Sequence, residues 1–271
     1  MLSTESKIKL ARVLYRLLKL ARLSDTQLVT RSGVRFQLDL REGIDLAIFL
    51  FGGFQNHVVS VSPGPPDAVV FDVGANIGAI TLPLARRHPS AQFHCFEPTH
   101  YALEKLRRNL SLNPALAARV VVNPCFVGSS SGVIQDAQAY ASWRVDAPPA
   151  GDVHNTHFGL KMASTTTLTS LDNYVVAHQI PKVHLIKIDT DGHEYEVLAG
   201  AQKLIATSRP RIILEMCPYL LEEQRLTLKD YIAVLGPGYR MTTLPSGRPF
   251  DEKALASIPR RGSMDVLAEP F

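Results

Sequence analysis

"VVFDVGANIGAITLPLA", residues 69–85, runs from an apolar stretch through Asp72, Gly74, Asn76 and Gly78 into a segment with helical spacing. A strand buried on both faces of a parallel sheet reads as such an unbroken apolar run. Glycines at the next positions let the backbone turn sharply and come close to a ligand beyond the carboxyl end of the strand. The stretch therefore predicts the first strand–turn–helix unit of an open α/β sheet. A pyrophosphate-binding turn needs G-x-G-x-x-G, so that phosphate can rest on bare backbone at a helix start. Here the spacing is G-x-N-x-G with an acid two residues ahead, which suits a cationic ligand without phosphate.

Outward from this unit, the chain alternates strands and helices. The predicted strands are "QFHCFE" (92–97), "RVVVNPCF" (119–126), "VHLIKID" (183–189) and "RIILEM" (211–216), with "YRMTTL" (239–244) and "SMDVLAEP" (263–270) closing the sheet. Alternation of this kind favours a mostly parallel sheet with helices on both faces. "SPGPPD", residues 62–67, can continue neither element and marks a linker. We therefore expect a main domain over 67–271 and an N-terminal extension over 1–61. In the extension, "GVRFQLDL" (33–40) alternates as a strand and "GIDLAIFLFGGF" (43–54) is an apolar segment. Residues 129–170 turn polar and Gly/Pro-punctuated, and Trp143, Arg144, His154, His157 and Phe158 there are candidate acceptor contacts.

Composition limits the classes open to the protein. With 271 residues and 46% hydrophobic content, a sizeable core is expected. Residues 1–22, where six cations face Glu5 alone, carry more than the whole net charge of +4, so the body carries no basic excess pointing to nucleic acid. "KIKLARVLYRLLKLARL" (7–23) is a basic amphipathic helix, with Leu10, Val13, Leu14, Leu17, Leu18 and Ala21 on one arc. That arc can dock on the chain's own domain, on a second subunit as a homodimer, or on an anionic membrane surface. Cys95, Cys125 and Cys217 have neither disulfide-framework nor zinc spacing. With no apolar block of signal or membrane-spanning type, the expectation is a cytoplasmic protein, with peripheral membrane contact as the alternative.

Glu97 ends the second strand, where a carboxylate can accept both hydroxyls of a ribose. Together with Asp72 it points to S-adenosylmethionine, a cationic adenosyl cofactor without phosphate. Asp72 is expected at its ammonium group, and the backbone of Gly74, Ala75, Asn76 and Gly78, with Pro98 after Glu97, is expected around its tail and ribose. At this point "FDVGANIG", "FEP", "TSLDNY" and "LIKIDTDGHEYEVLAGA" followed by "PRIILEM" resemble the FkbM-type methyltransferases over roughly residues 67–220. The resemblance implies a Rossmann-like class I fold with a seven-stranded sheet. It also implies O-methylation of a sugar, glycolipid or natural product, with a small molecule or glycan as acceptor. The chain departs from the family's usual pattern in having Asp191-Gly192 for a glutamate-glycine pair and Gly53-Phe54-Gln55 for a glycine-aromatic-glutamate.

In "VHLIKID", Val183, Leu185, Lys187 and Asp189 share one strand face. A lysine inside a parallel sheet needs a carboxylate, and Asp189 is close enough to be one. The family's sheet order would bring Glu215 beside Asp189. Lys187, Asp189 and Glu215 are then the expected wall of the active site. Asp191 and Glu194 read as a capping box for the helix that follows. His193 in its first turn, Asp189 and Asp191 are the candidate general bases. No metal is required by the pattern, although Asp189, Asp191 and Glu215 offer hard oxygen ligands to a divalent ion. A nicotinamide oxidoreductase and a non-catalytic scaffold recruited by the basic helix are the alternatives from other classes.

Overall fold

The computed structural model describes residues 4–140, 144–146, 161–260 and 262–271. The extension begins with helix α1 (Thr4–Leu20), followed by a hairpin of β1 (Thr26–Arg31) and β2 (Val34–Asp39). The apolar segment is helix α2 (Gly43–Phe51), which stops at Gly52, whose φ of 79° takes the left-handed cap conformation. A short helix, α3 (Asn56–Val59), precedes the irregular linker.

In chain order the main body then contains β3 (Val69–Val73), α4 (Thr81–Arg87), β4 (Gln92–Phe96), α5 (His100–Ser111), α6 (Pro114–Ala117), β5 (Val120–Asn123), β6 (Cys125–Val127), β7 (Gly132–Tyr140), β8 (Lys161–Thr169) and α7 (Leu171–Ala177). It continues through β9 (Leu185–Ile188), α8 (Glu194–Ala199), α9 (Gln202–Ser208), β10 (Arg211–Met216), α10 (Pro218–Gln224), α11 (Leu228–Leu235), β11 (Tyr239–Thr243), α12 (Glu252–Ala256) and β12 (Met264–Pro270). The central sheet has seven strands in the order β11-β12-β10-β9-β3-β4-β5. Its strands are parallel except that β12 runs antiparallel to both β10 and β11. This is the Rossmann-like, mostly parallel seven-stranded architecture the resemblance implied. "RVVVNPCF" divides at Pro124, which has no N–H for a ladder. Its second half, β6, leaves the central sheet and pairs with β8, and β8 pairs with β7.

Alternation along each strand divides the core between the two faces of the sheet. Phe71, Val73, Ile186, Ile188, Ile212 and Leu214 join one buried cluster with residues of α7, α8, α9 and α11. Val70, Phe93, Leu185, Ile213 and Leu267 join the other, which also takes in Phe36, Leu38, Leu46, Ile48 and Val58 of the extension. The extension is thus packed into the same core as the sheet. Two side-chain amides, Asn109 on α5 and Asn113 just past its end, also hold it. Asn109 Oδ1 accepts from Gln37 N, and Asn113 bonds both the N–H and the carbonyl of Arg35, so these side chains pair with β2 as a neighbouring strand would.

α1 docks on a different arc from the expected one. Ile8 is buried, with Ala11, Tyr15 and Leu18 packed beside it, whereas Leu10, Val13 and Leu17 are exposed. The apolar arc is wider than the contact, and the sequence did not say which part would be covered. Of the expected acceptor contacts, Trp143, His154, His157 and Phe158 lie outside the described residues. Arg144 pairs with Asp146 at 2.7 Å and bridges Glu42 through backbone.

Candidate active site

Asp72, Lys187, Asp189, Glu215 and Asp265 fall on the sheet face that carries the extension. Asp72 on β3 is registered against Lys187 on β9. Two residues further along each strand, the same face presents Gly74, Asp189 and Glu215, with Asp265 of β12 registered against Glu215. The apolar half of this face is core, and at its carboxyl end a row of carboxylates faces a cavity of about 600 Å³. Gly74, Ala75, Asn76, Glu97, Pro98, Lys187, Asp189, Asp191, His193, Glu215 and Asp265 all reach that cavity.

The glycine turn is shaped by what lies across it. Gly74 has φ 79°, and a Cβ there would lie 1.9 Å from the carbonyl oxygen of Asp189, so the close approach of the two strand ends requires glycine. Gly78, also at positive φ, faces Leu82 and Leu106 and does not reach the cavity, so its part is to admit the helix. Asn76 takes a left-handed φ of 48°, and its Oδ1 accepts from Ile77 N. Glu97 Oε2 accepts from Asn76 N at 2.9 Å, and Oε1 accepts from Thr99 N and Thr99 Oγ1. The carboxylate therefore binds the turn to the end of β4. Burial raises its pKa, and the Thr99 and Asn76 donors oppose that rise.

Asp72, expected at a cofactor's ammonium group, does not line the cavity and lies beneath it against Lys187. It is 2% exposed, its Oδ1 lies 3.1 Å from Lys187 Nζ, and its Oδ2 accepts from Thr81 Oγ1 at 2.5 Å. Lys187 also donates to Gly74 O at 2.8 Å and stands 3.7 Å from Asp189. Its nearest carboxylate is thus across the sheet, and Asp189, the partner expected along the strand, is the second one. Burial alone would lower the Lys187 pKa, but Asp72, Asp189 and Glu215 outweigh it and hold the ammonium charged.

The expected capping box is replaced by a different brace. Asp191 sits at a left-handed φ of 53°, two residues ahead of the helix N-cap, which is His193. Glu194 reaches back instead, accepting from Thr190 N, Thr190 Oγ1 and Gly192 N through Oε1. Asp191 is thereby released from capping and turned to the cavity. Asp189, Asp191 and Glu215 come together as expected, with one oxygen of each within 4.8 Å of the others, close enough to hold one divalent cation. Burial raises all three pKa values, with Asp265 and Asp72 adding to it at Asp189 and with Asp189 adding to it at Asp191 and Glu215, which are raised well above the usual carboxylate range. His193 is exposed at the cavity rim.

The sequence reading passed over His57 and Asp265. His57 Nε2 is hydrogen-bonded to Asp265 Oδ2, so the extension is tied to the last strand at the cavity wall. A charged residue at a core-facing period-two position of "SMDVLAEP" was the available signal for Asp265. His57 carried none. Ile8, Ala11, Leu14, Ile44, Leu50 and Phe54 add an apolar wall from the extension. "TSLDNY" proves structural. Ser170 caps α7, Asp172 accepts from the first amides of α9, and the Tyr174 hydroxyl bonds Asn123 and His94.

A glycine turn and a strand-end acid on one side of a cavity, facing strand-end carboxylates in a sheet of this order, define a Rossmann-like fold of the methyltransferase type. The chain belongs to the methyltransferase FkbM domain family, whose model matches residues 72–241. It is similar to the 31-O-demethyl-FK506 methyltransferase FkbM of Streptomyces tacrolimicus, with 30% identity over 57% of this chain and 66% of that protein. It is 36% identical to the methyltransferase sdnD of Sordaria araneosa over 55% of this chain and 66% of that protein. The 2-O-methyltransferase NoeI of Sinorhizobium fredii matches at 23% over 67% of this chain and 76% of its own length. The matched part thus spans just under two thirds of the first two relatives. Among the described residues, no helix is long and apolar enough to cross a membrane.

Proposed function

We propose that the protein is an S-adenosylmethionine-dependent O-methyltransferase acting on a hydroxyl of a small-molecule or glycan acceptor. The observation that carries this reading is the meeting, in one cavity, of the Gly74–Asn76 turn braced by Glu97 with the Asp189–Glu215 wall. A volume of about 600 Å³ suits a small organic ligand. Glu97 Oε2 takes one donor from the turn, so it retains acceptor capacity for a ribose hydroxyl. Gly74, Ala75, Asn76, Glu97 and Pro98 would hold the donor, while Asp72 holds Lys187.

When bound, the donor supplies an electrophilic methyl group on a cationic sulfur. The chain's own residues then have three tasks. Asp189 accepts the proton of the acceptor hydroxyl, because burial and its neighbours raise its basicity above that of an ordinary carboxylate. Lys187 keeps Asp189 in place through a charge that is itself anchored on Asp72. The apolar wall of Leu14, Ile44, Leu50 and Phe54 keeps water away and favours a hydroxyl carried on an apolar skeleton. The names of two relatives, an O-demethyl compound's methyltransferase and a 2-O-methyltransferase, support oxygen as the methylated atom.

The proximity of Asp189, Asp191 and Glu215 favours a second reading, in which a divalent cation lowers the hydroxyl's pKa. The experiment is calorimetry with S-adenosylhomocysteine, then turnover with labelled methyl donor against glycosides and hydroxylated apolar compounds, with and without chelator. Binding of S-adenosylhomocysteine but not NAD is expected. No binding by the folded protein would refute the reading, and loss of turnover in chelator, restored by magnesium, would select the metal form.

A further inference from the structure

Helix α1 has more apolar surface than its contact with the body uses. At about 100° per residue, Ile8, Ala11, Tyr15 and Leu18 lie along one side of the helix; Ile8 is buried and the other three pack on the core. The arc continues past them through Leu14 to Leu10, Leu17, Val13 and Leu20, which are 46%, 55%, 53% and 79% exposed. The remaining sector carries Lys9, Arg12, Arg16 and Lys19, with Arg16 and Lys9 next to the exposed leucine edge. A helix that only docked would show polar side chains where this one shows four large apolar ones.

The exposed stripe also leads into the site. Leu10 lines the cavity from α1, and Phe51, 68% exposed, lines it from α2. The apolar surface is therefore continuous from the outside of α1 to the cavity mouth.

We propose that α1 and Phe51 seat the protein on an anionic lipid surface. Leu10, Val13, Leu17 and Leu20 enter the acyl boundary, and Arg16 and Lys9 lie at the headgroups. The charge distribution selects this occupant. Six cations and one acid fall within residues 1–22 of a chain whose net charge is +4, so the patch is drawn to a negative surface. A second copy apposed on the same stripe would instead bring two such patches together. At 17 residues, α1 lies in the interface and does not span it. The cavity mouth then faces the bilayer, from which an acceptor dissolved in or anchored to lipid can enter.

The test is co-sedimentation of the full chain with vesicles of phosphatidylcholine alone or mixed with phosphatidylglycerol. Binding to the mixed vesicles is expected to exceed binding to neutral ones by about tenfold or more and to weaken with salt. Val13→Asp with Leu17→Asp is expected to abolish it while leaving the melting temperature unchanged, because both positions are exposed. Arg16→Glu is expected to reduce it severalfold. Equal sedimentation of wild type and the double variant would overturn the proposal. So would light scattering that shows a dimer converted to monomer by the same substitutions. The measurement uses no methyl donor, so its failure leaves the proposed reaction standing.

Discussion

Lys187 Nζ lies 3.1 Å from Asp72 Oδ1, joining the centres of two adjacent parallel strands beneath the cavity floor. Both residues are nearly inaccessible, at 4% and 2% exposure. The same ammonium group donates to Gly74 O and stands 3.7 Å from Asp189, so one buried charge ties the glycine turn to the carboxylate wall. Removing Lys187 leaves the Asp72 carboxylate buried without a cation.

Lys187→Met is therefore expected to destabilise the protein by about 3–5 kcal/mol, measured by urea unfolding. Adding Asp72→Leu should recover part of that loss, because it removes the buried carboxylate that Lys187→Met leaves without its cation. A double variant no more stable than Lys187→Met would show that the pair does not act as a unit.

Glu97→Gln keeps the shape of the side chain at the end of β4 but removes the charge that accepts from Asn76 N and Thr99 N and that would accept from the ribose of the proposed cofactor. Binding of S-adenosylhomocysteine is expected to weaken by about tenfold or more, from the worth of a hydrogen bond to a charged group. Calorimetry on the variant, with its melting temperature as control, tests this. Unchanged affinity would move the ribose contact elsewhere.

Asp189→Asn should leave cofactor affinity within a few-fold of wild type and lower kcat by roughly 100-fold or more, the usual contribution of a positioned general base. His193→Ala, at the exposed rim, is expected to change kcat by less than about tenfold. If the two variants exchange these effects in steady-state assays, His193 is the proton acceptor.

Glu42 is 2% exposed, and burial raises its pKa from 4.5 to about 7, against the pull of Lys105. A carboxyl with a raised folded-state pKa holds its proton more tightly folded than unfolded. Its contribution to stability is therefore present below 4.5 and is lost as pH rises through about 7. Glu42→Gln should abolish that loss. The variant's advantage in thermal or urea unfolding is expected to grow between mildly acid and mildly alkaline buffer, up to about 3 kcal/mol. An advantage independent of pH would refute the assignment.

Much of this was legible in the chain. The apolar runs and breakers marked out the strands of the central sheet, and Gly74, Asn76 and Gly78 marked the turn, because strand burial and positive φ restrict residue type locally. The period-two pattern of "VHLIKID" placed Lys187 and Asp189 on one face. Once the family's strand order was borrowed, it also placed Glu215 beside Asp189.

Other features depended on neighbours that are distant in sequence. Lys187 prefers Asp72 to Asp189 because lateral pairing across β3 and β9 brings a buried carboxylate closer than the next residue on its own strand. Asp191 is free of capping because Glu194 already meets the loop amides. His57 meets Asp265 only through the packing of the extension against β12. An apolar arc as wide as that of α1 states that the helix will bury a side without stating which. The sequence by itself determined the parallel sheet, its turn and the acids at its strand ends, since these follow from local sterics and periodicity. Only the tertiary structure decided which charges pair, what walls the cavity and which leucines stay outside, since these depend on surfaces brought together from far along the chain.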